Sequence, residues 1–230
     1  MLTALIPAAI LGLIVFGLVS LRGRDGADLS PGGLLRLYLY LASLAGVLVF
    51  VVGAASLVNV GLAVTAGNDF TYGRPPEMSA FSFKGACPPN TPECDAARAR
   101  DLELNSPDRL LEQRDRRRGD DLVRGLTFTV FGALFWGAHW STRRGVGADG
   151  LALSVRRGYL MSGTLLFGLV TVVLLPWGVY QALSAAILPP APNQFNPGIA
   201  DTLGGGIAAL PIWLIYLRLV VRDVRSSATT

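Results

Sequence analysis

Charged residues in this chain are bunched, and between the bunches lie long stretches that have none: Leu2–Leu21, Leu37–Asn68, Gly125–Thr142 and Gly158–Ala200. An α-helix rises 1.5 Å per residue, so about 20 apolar residues cross a hydrocarbon core of about 30 Å, and tilt or snorkelling absorbs shorter and longer runs. Each stretch is long enough to span. The last, 43 residues long, has room for two helices. Pro189, Pro190, Pro192 and Pro197 mark the break, because proline lacks an amide donor and pushes its predecessor out of the helical region. One span thus ends near Leu188 and the next runs over about 202–221, where Arg218 can snorkel from the last turn. Pro176 and Pro211 fall inside spans and should kink them without ending them.

The pattern predicts an all-α integral membrane protein with five transmembrane helices. The first occupies 1–22 and the second 35–68; two more lie within 122–188, and the fifth lies within 201–230 together with a polar tail. Residues 69–121 form an extracytoplasmic loop or cap, and 189–200 form a proline-rich outer loop. The first span reads as retained rather than cleaved, since it has no basic flank, its apolar run exceeds a signal-peptide core, and no small-x-small site precedes Arg22.

Composition agrees: 51% of the residues are apolar, 16% are charged and 27 are glycine. The distribution of arginine sets the orientation. Segments 22–36, 143–157 and the tail hold ten basic residues against Asp25, Asp28, Asp149 and Asp223, whereas 69–124 balances ten basic with eleven acidic residues. Basic loops stay in the cytoplasm, so the N-terminus is expected outside and the C-terminus inside a bacterial cytoplasmic membrane. Arg114, Arg116, Arg117 and Arg118 run against this count, but they are interleaved with Asp115, Asp120 and Asp121 in a long segment that translocates more readily than a short basic one.

Within 69–121, Ser106-Pro107-Asp108 is a helix start signal, so Pro107–Arg118 should be helical, with Glu112 and Arg116 paired one turn apart. Cys87 and Cys94, the only cysteines, flank a proline-rich turn and read as a disulfide in an oxidising compartment. A zinc pair is the competing reading, and it lacks the four ligands that a structural site uses. Two unpaired thiols are the remaining alternative.

A weak internal repeat crosses the membrane part. Shifting the second span by 121 residues aligns ten identities in 27 positions, among them Arg36 with Arg157, Tyr38 with Tyr159 and Leu44 with Leu165; a shift of 77 aligns Leu126 with Leu203 and Trp136 with Trp213. Spans two to five then read as two tandem helical hairpins. Arg36-Leu-Tyr-Leu-Tyr40 opening one span, and Phe135-Trp-Gly-Ala-His-Trp140 closing the next, resemble the bacterial membrane family catalogued as a domain of unknown function, number 5671. The resemblance covers 35–222. It departs from the family pattern where Tyr216 stands in place of a histidine and where the charged segment interrupts the first unit. That family has no assigned activity, so the resemblance bears on fold alone.

Candidate chemistry is sparse. His139, the only histidine, lies near the cytoplasmic end of a span between Trp136 and Trp140, where it reads as an interfacial belt residue; the alternative is an axial ligand to haem or a chlorophyll. No acid or base sits at the centre of a span, which disfavours proton- or ion-coupled transport. The polar groups there, Ser43, Ser56, Asn59, Ser162, Thr164, Thr171 and Gln181, suit helix packing, as do Gly46, Gly53, Gly163, Gly168, Gly204 and Gly206. No metalloprotease, serine hydrolase, P-loop or dinucleotide motif is present, so the chain is not expected to be an enzyme, to carry a cofactor or to bind nucleic acid. The expected function is a non-catalytic structural or accessory subunit of a larger membrane complex, with other integral membrane subunits and the lipid bilayer as partners. A small uncoupled transporter or channel is the first alternative, and a pigment- or haem-carrying subunit the second.

Overall fold

The computed structural model describes residues 31–73, 107–145, 150–188 and 198–228. The expected span over 1–22, Cys87 and Cys94, and most of the proline-rich loop lie outside them. The described residues are all-α, in the order α1 (Pro31–Ala66), α2 (Asn68–Tyr72), α3 (Pro107–Gly145), α4 (Gly150–Ile187) and α5 (Ala200–Ala228).

Three of these helices are long and apolar enough to cross a membrane: α1, the Val155–Ile187 part of α4 and the Ala200–Ser226 part of α5. They correspond to the second, fourth and fifth expected spans. The third expected span is the C-terminal half of α3, where threonine, glycine, tryptophan and His139 dilute the apolar residues. Pro176 and Pro211 both lie inside continuous helices, as expected. The helices also run further into the basic segments than the charge pattern indicated. Only 146–149 separate α3 from α4.

One element differs from expectation in kind. The sequence suggested a short helix, Pro107–Arg118, followed by a separate span from 122, but α3 runs through both as 39 unbroken residues, about 58 Å at 1.5 Å each. Pairs one turn apart keep its charged half helical. Arg116 Nη2 lies 3.4 Å from Glu112, as expected, and Arg124 reaches both Asp120, at 3.4 Å, and Asp121. The boundary at 121 therefore falls within a helix.

α1 and α3 form one antiparallel pair, and α4 and α5 another; α1 joins the two by packing against α5 and, less extensively, α4. Close approach depends on glycine, since lipid provides no hydrophobic drive between helices and backbones must come near for dispersion contacts. A methyl group on Gly46 would stand 2.8 Å from the Trp136 backbone, and Gly53 and Gly132 face the backbones of Thr129 and Phe50 as tightly. In the second pair, Gly168 admits Trp213, Gly206 admits Leu175 and Gly178 admits Leu203. All six glycines singled out from the sequence line such contacts, and Gly125, Gly132 and Gly178, which no spacing had marked, do so as well.

The core lies where α1, α4 and α5 meet. It contains Tyr40, Leu44, Val47, Val51, Ala55, Tyr159, Leu160, Phe167, Ala208, Ala209, Ile212 and Tyr216.

Candidate functional site

The two ends of the bundle carry most of its polar structure. At the end holding the N-terminal half of α3, Gly67 (φ 97°) turns the chain from α1 into α2 and Gly198 (φ 71°) admits it to α5, conformations in which a side chain would be strained. Thr71 Oγ1 donates to Gly67 O at 3.0 Å, and Ile199 N donates to Phe70 O at 3.4 Å, so α2 is tied to the start of α5. Arg114 then pairs with Asp69, and Arg117 with Asp201 at 2.9 Å, fastening α3 to both. Beneath these pairs Asp121 is 3% exposed and bonded to Arg124, with Tyr72 buried beside it and the Arg117 guanidinium 5.9 Å above the Tyr72 ring. Burial first, and the Asp121 carboxylate second, hold the Tyr72 phenol well above its usual pKa. The arginine run is thus a set of pairs that link elements.

At the opposite end the two motifs that carry the family resemblance come together. His139 Nδ1 lies 2.7 Å from Phe135 O; a carbonyl only accepts, so this nitrogen carries the proton. Nε2 lies 3.4 Å from the Tyr38 hydroxyl. The ring stacks near Phe135 and meets Tyr38 edge-on. His139 thus sits at the α1–α3 contact, with both nitrogens engaged by the chain itself.

A counterpart of that pair is buried in the second hairpin. The Tyr216 hydroxyl bonds to the Tyr159 hydroxyl, which lies 3.3 Å from Ser43 Oγ, giving a polar chain across α5, α4 and α1. The shifts of 121 and 77 carry Tyr38 onto Tyr159 and His139 onto Tyr216, so the two contacts fall at matching positions. The same shifts carry the crossing of Gly46 with Trp136 to within one residue of Gly168 with Trp213, and that of Gly53 with Thr129 to within one residue of Leu175 with Gly206. Neither the repeat nor any motif paired Tyr159 with Tyr216 in the sequence; the packing of α4 on α5 brings them together.

Of the other polar groups marked from the sequence, Asn59 and Gln181 bond between helices. Asn59, with its amide nitrogen turned toward the helix carbonyls, donates to Ala55 O at 3.2 Å and Ala200 O at 2.6 Å. Thr202 donates to Gln181 at 2.5 Å, while Thr164 and Thr171 return to carbonyls of their own helix. Among the described residues no group of three or more His, Cys, Asp or Glu is placed to hold a metal ion. No protein-family model, curated protein or solved structure matches this chain.

Proposed function

We propose that this protein is a non-catalytic structural or accessory subunit of a larger bacterial membrane complex. The observation that carries the reading is the unequal use of the two hairpins. Ala208 and Ile212 of α5 are buried in the core, whereas their counterparts under the shift of 77, Phe131 and Phe135 of α3, are more than half exposed. Among the long helices α3 packs extensively on α1 alone, leaving a flank of Val123, Leu126, Val130, Phe131, Leu134 and Phe135 for a neighbouring helix. The buried polar set within the described spans consists of hydroxyls and one amide, which suits association rather than chemistry. Isolation from native membranes in mild detergent should recover other integral membrane proteins in fixed ratio. Recovery of the chain alone and monodisperse would sink the proposal.

The finer architecture belongs to the same proposal: tandem hairpins related to the family resembled above, and five spans with α3 as the third. The register shared by the two hairpins supports the duplication. The N-terminus lies outside, the C-terminus lies in the cytoplasm, and the segment after α2 is exported with Cys87 and Cys94 bonded. A phosphatase fusion at Thr230 should be inactive and one near Asn105 active, and both thiols should resist alkylation until reduced. The opposite fusion pattern, or full alkylation of denatured but unreduced protein, would refute the topology or the disulfide respectively.

A further inference from the structure

At the end of the bundle that holds His139, α4 and α5 enclose a cleft of about 200 Å³ lined by Arg157, Leu160, Met161, Val220, Asp223 and Val224. Its rim is charged. Arg156 Nη2 lies 3.3 Å from Asp223 Oδ1, and Arg157 Nε donates to Asp223 Oδ2 at 3.1 Å, so two guanidinium groups share one carboxylate. Both arginine side chains are about half exposed, whereas that of Asp223 is 11% exposed. Among the described residues the rim sets two half-exposed guanidinium groups against one carboxylate. Its floor is apolar. Leu160 and Met161 follow the arginines by one turn along α4, and Val220 precedes Asp223 by one turn along α5. The α4 part of the floor belongs to a helix that is long and apolar enough to cross a membrane.

We propose that this cleft binds an anionic glycerophospholipid, with its phosphate on Arg156 and Arg157 and the upper part of one acyl chain against Leu160, Met161 and Val220. Guanidinium is suited to phosphate because its planar donors match the spacing of two phosphate oxygens. Basic pockets between membrane helices favour anionic headgroups for the same reason, aided by the negative surface potential. A soluble anion would gain nothing from the apolar floor, and a zwitterionic lipid would bring its own cation to the rim. Asp223 offsets part of the positive charge of the two arginines and weakens the attraction, which sets the affinity below that of a bare pair. The inference uses only the apolar helices and the cleft, and stands whichever complex the chain joins.

The test is native mass spectrometry of the delipidated full chain offered equal amounts of phosphatidylglycerol and phosphatidylcholine of matched chains. Retention of phosphatidylglycerol should exceed that of phosphatidylcholine roughly tenfold, the scale expected when basic side chains sit at the headgroup level. The triple variant Arg156→Gln, Arg157→Gln, Asp223→Asn removes the charges without stranding the carboxylate and should abolish the preference. Asp223→Asn alone should increase it. If the triple variant does not fold, Val220→Trp serves instead, filling the floor and lowering phosphatidylglycerol retention with the rim intact. Inorganic phosphate in excess should not displace the lipid. Equal retention of the two lipids, an unchanged preference in the triple variant, unaltered retention in Val220→Trp, or displacement by phosphate alone would overturn the proposal.

Discussion

Gly53→Leu should separate α3 from α1, whereas the same change at Gly61 or Gly137 should be nearly silent. All three glycines lie on the same two helices, so helix propensity favours leucine equally at each. They differ in what a side chain would meet. At Gly53 the obstruction is the backbone of Phe128 and Thr129, which cannot rotate aside; at Gly61 and Gly137 nothing lies within 4 Å. Overpacking a tight contact costs about 1–3 kcal/mol when side chains can adjust, and the upper end or beyond is expected where backbone faces backbone. Because α1 provides nearly all of α3's contacts within the bundle, the loss should also remove the Tyr38–His139 contact. Unfolding in mixed detergent and SDS micelles would read the difference. Equal midpoints for the leucine variants at 53, 61 and 137 would show that the close approach does not hold the hairpin.

Asp121→Ala should be the most costly substitution at the other end. Stripping one member from a buried ion pair costs about 3–5 kcal/mol when both groups are fully buried. Arg124 is 31% exposed and keeps Asp120, so about 1–3 kcal/mol is expected here. Asp121→Asn, which retains a polar group beside Tyr72, should cost less. The pH dependence has a definite sign. The native Tyr72 phenol is held above its unfolded value of about 10, so its contribution is complete below that pH and is lost as pH rises toward the native pKa, because the unfolded chain ionises first. Comparison of unfolding at pH 8 and pH 11 in the native chain and in Tyr72→Phe isolates the effect. Removing the Asp121 carboxylate should bring the phenol back toward its ordinary range, visible as phenolate absorbance at lower pH. An Asp121→Ala variant as stable as the native chain would mean that the outer pairs, Arg114 with Asp69 and Arg117 with Asp201, hold this end without it.

The sequence by itself determined the three apolar helices long enough to cross a membrane, because charge-free length and the placement of proline act locally and need no partner; the unbroken run of α3 and the short α2 were not legible in it. It also determined the glycines at Gly46, Gly53, Gly163, Gly168, Gly204 and Gly206, whose role follows from the lack of hydrophobic drive in a bilayer. The helix start at Pro107 and the Glu112–Arg116 pair were legible for the same reason, being contacts within a single turn. Tertiary structure decided everything that depends on which faces meet. Apolar residues surround these helices on all sides, so no stripe in the sequence distinguishes the buried Leu44 from its exposed counterpart Leu165. Only the packing of α1 between its neighbours separates them. Charge counting weighed the arginines before the third span only by sign, against the aspartates interleaved with them, yet Arg114 and Arg117 reach partners 45 and 84 residues away, and a pairing of that range has no local sequence signal. The cleft between Arg157 and Asp223 is of the same kind: the repeat marked its two helices as a hairpin, but which of their side chains face each other was decided only by the packing.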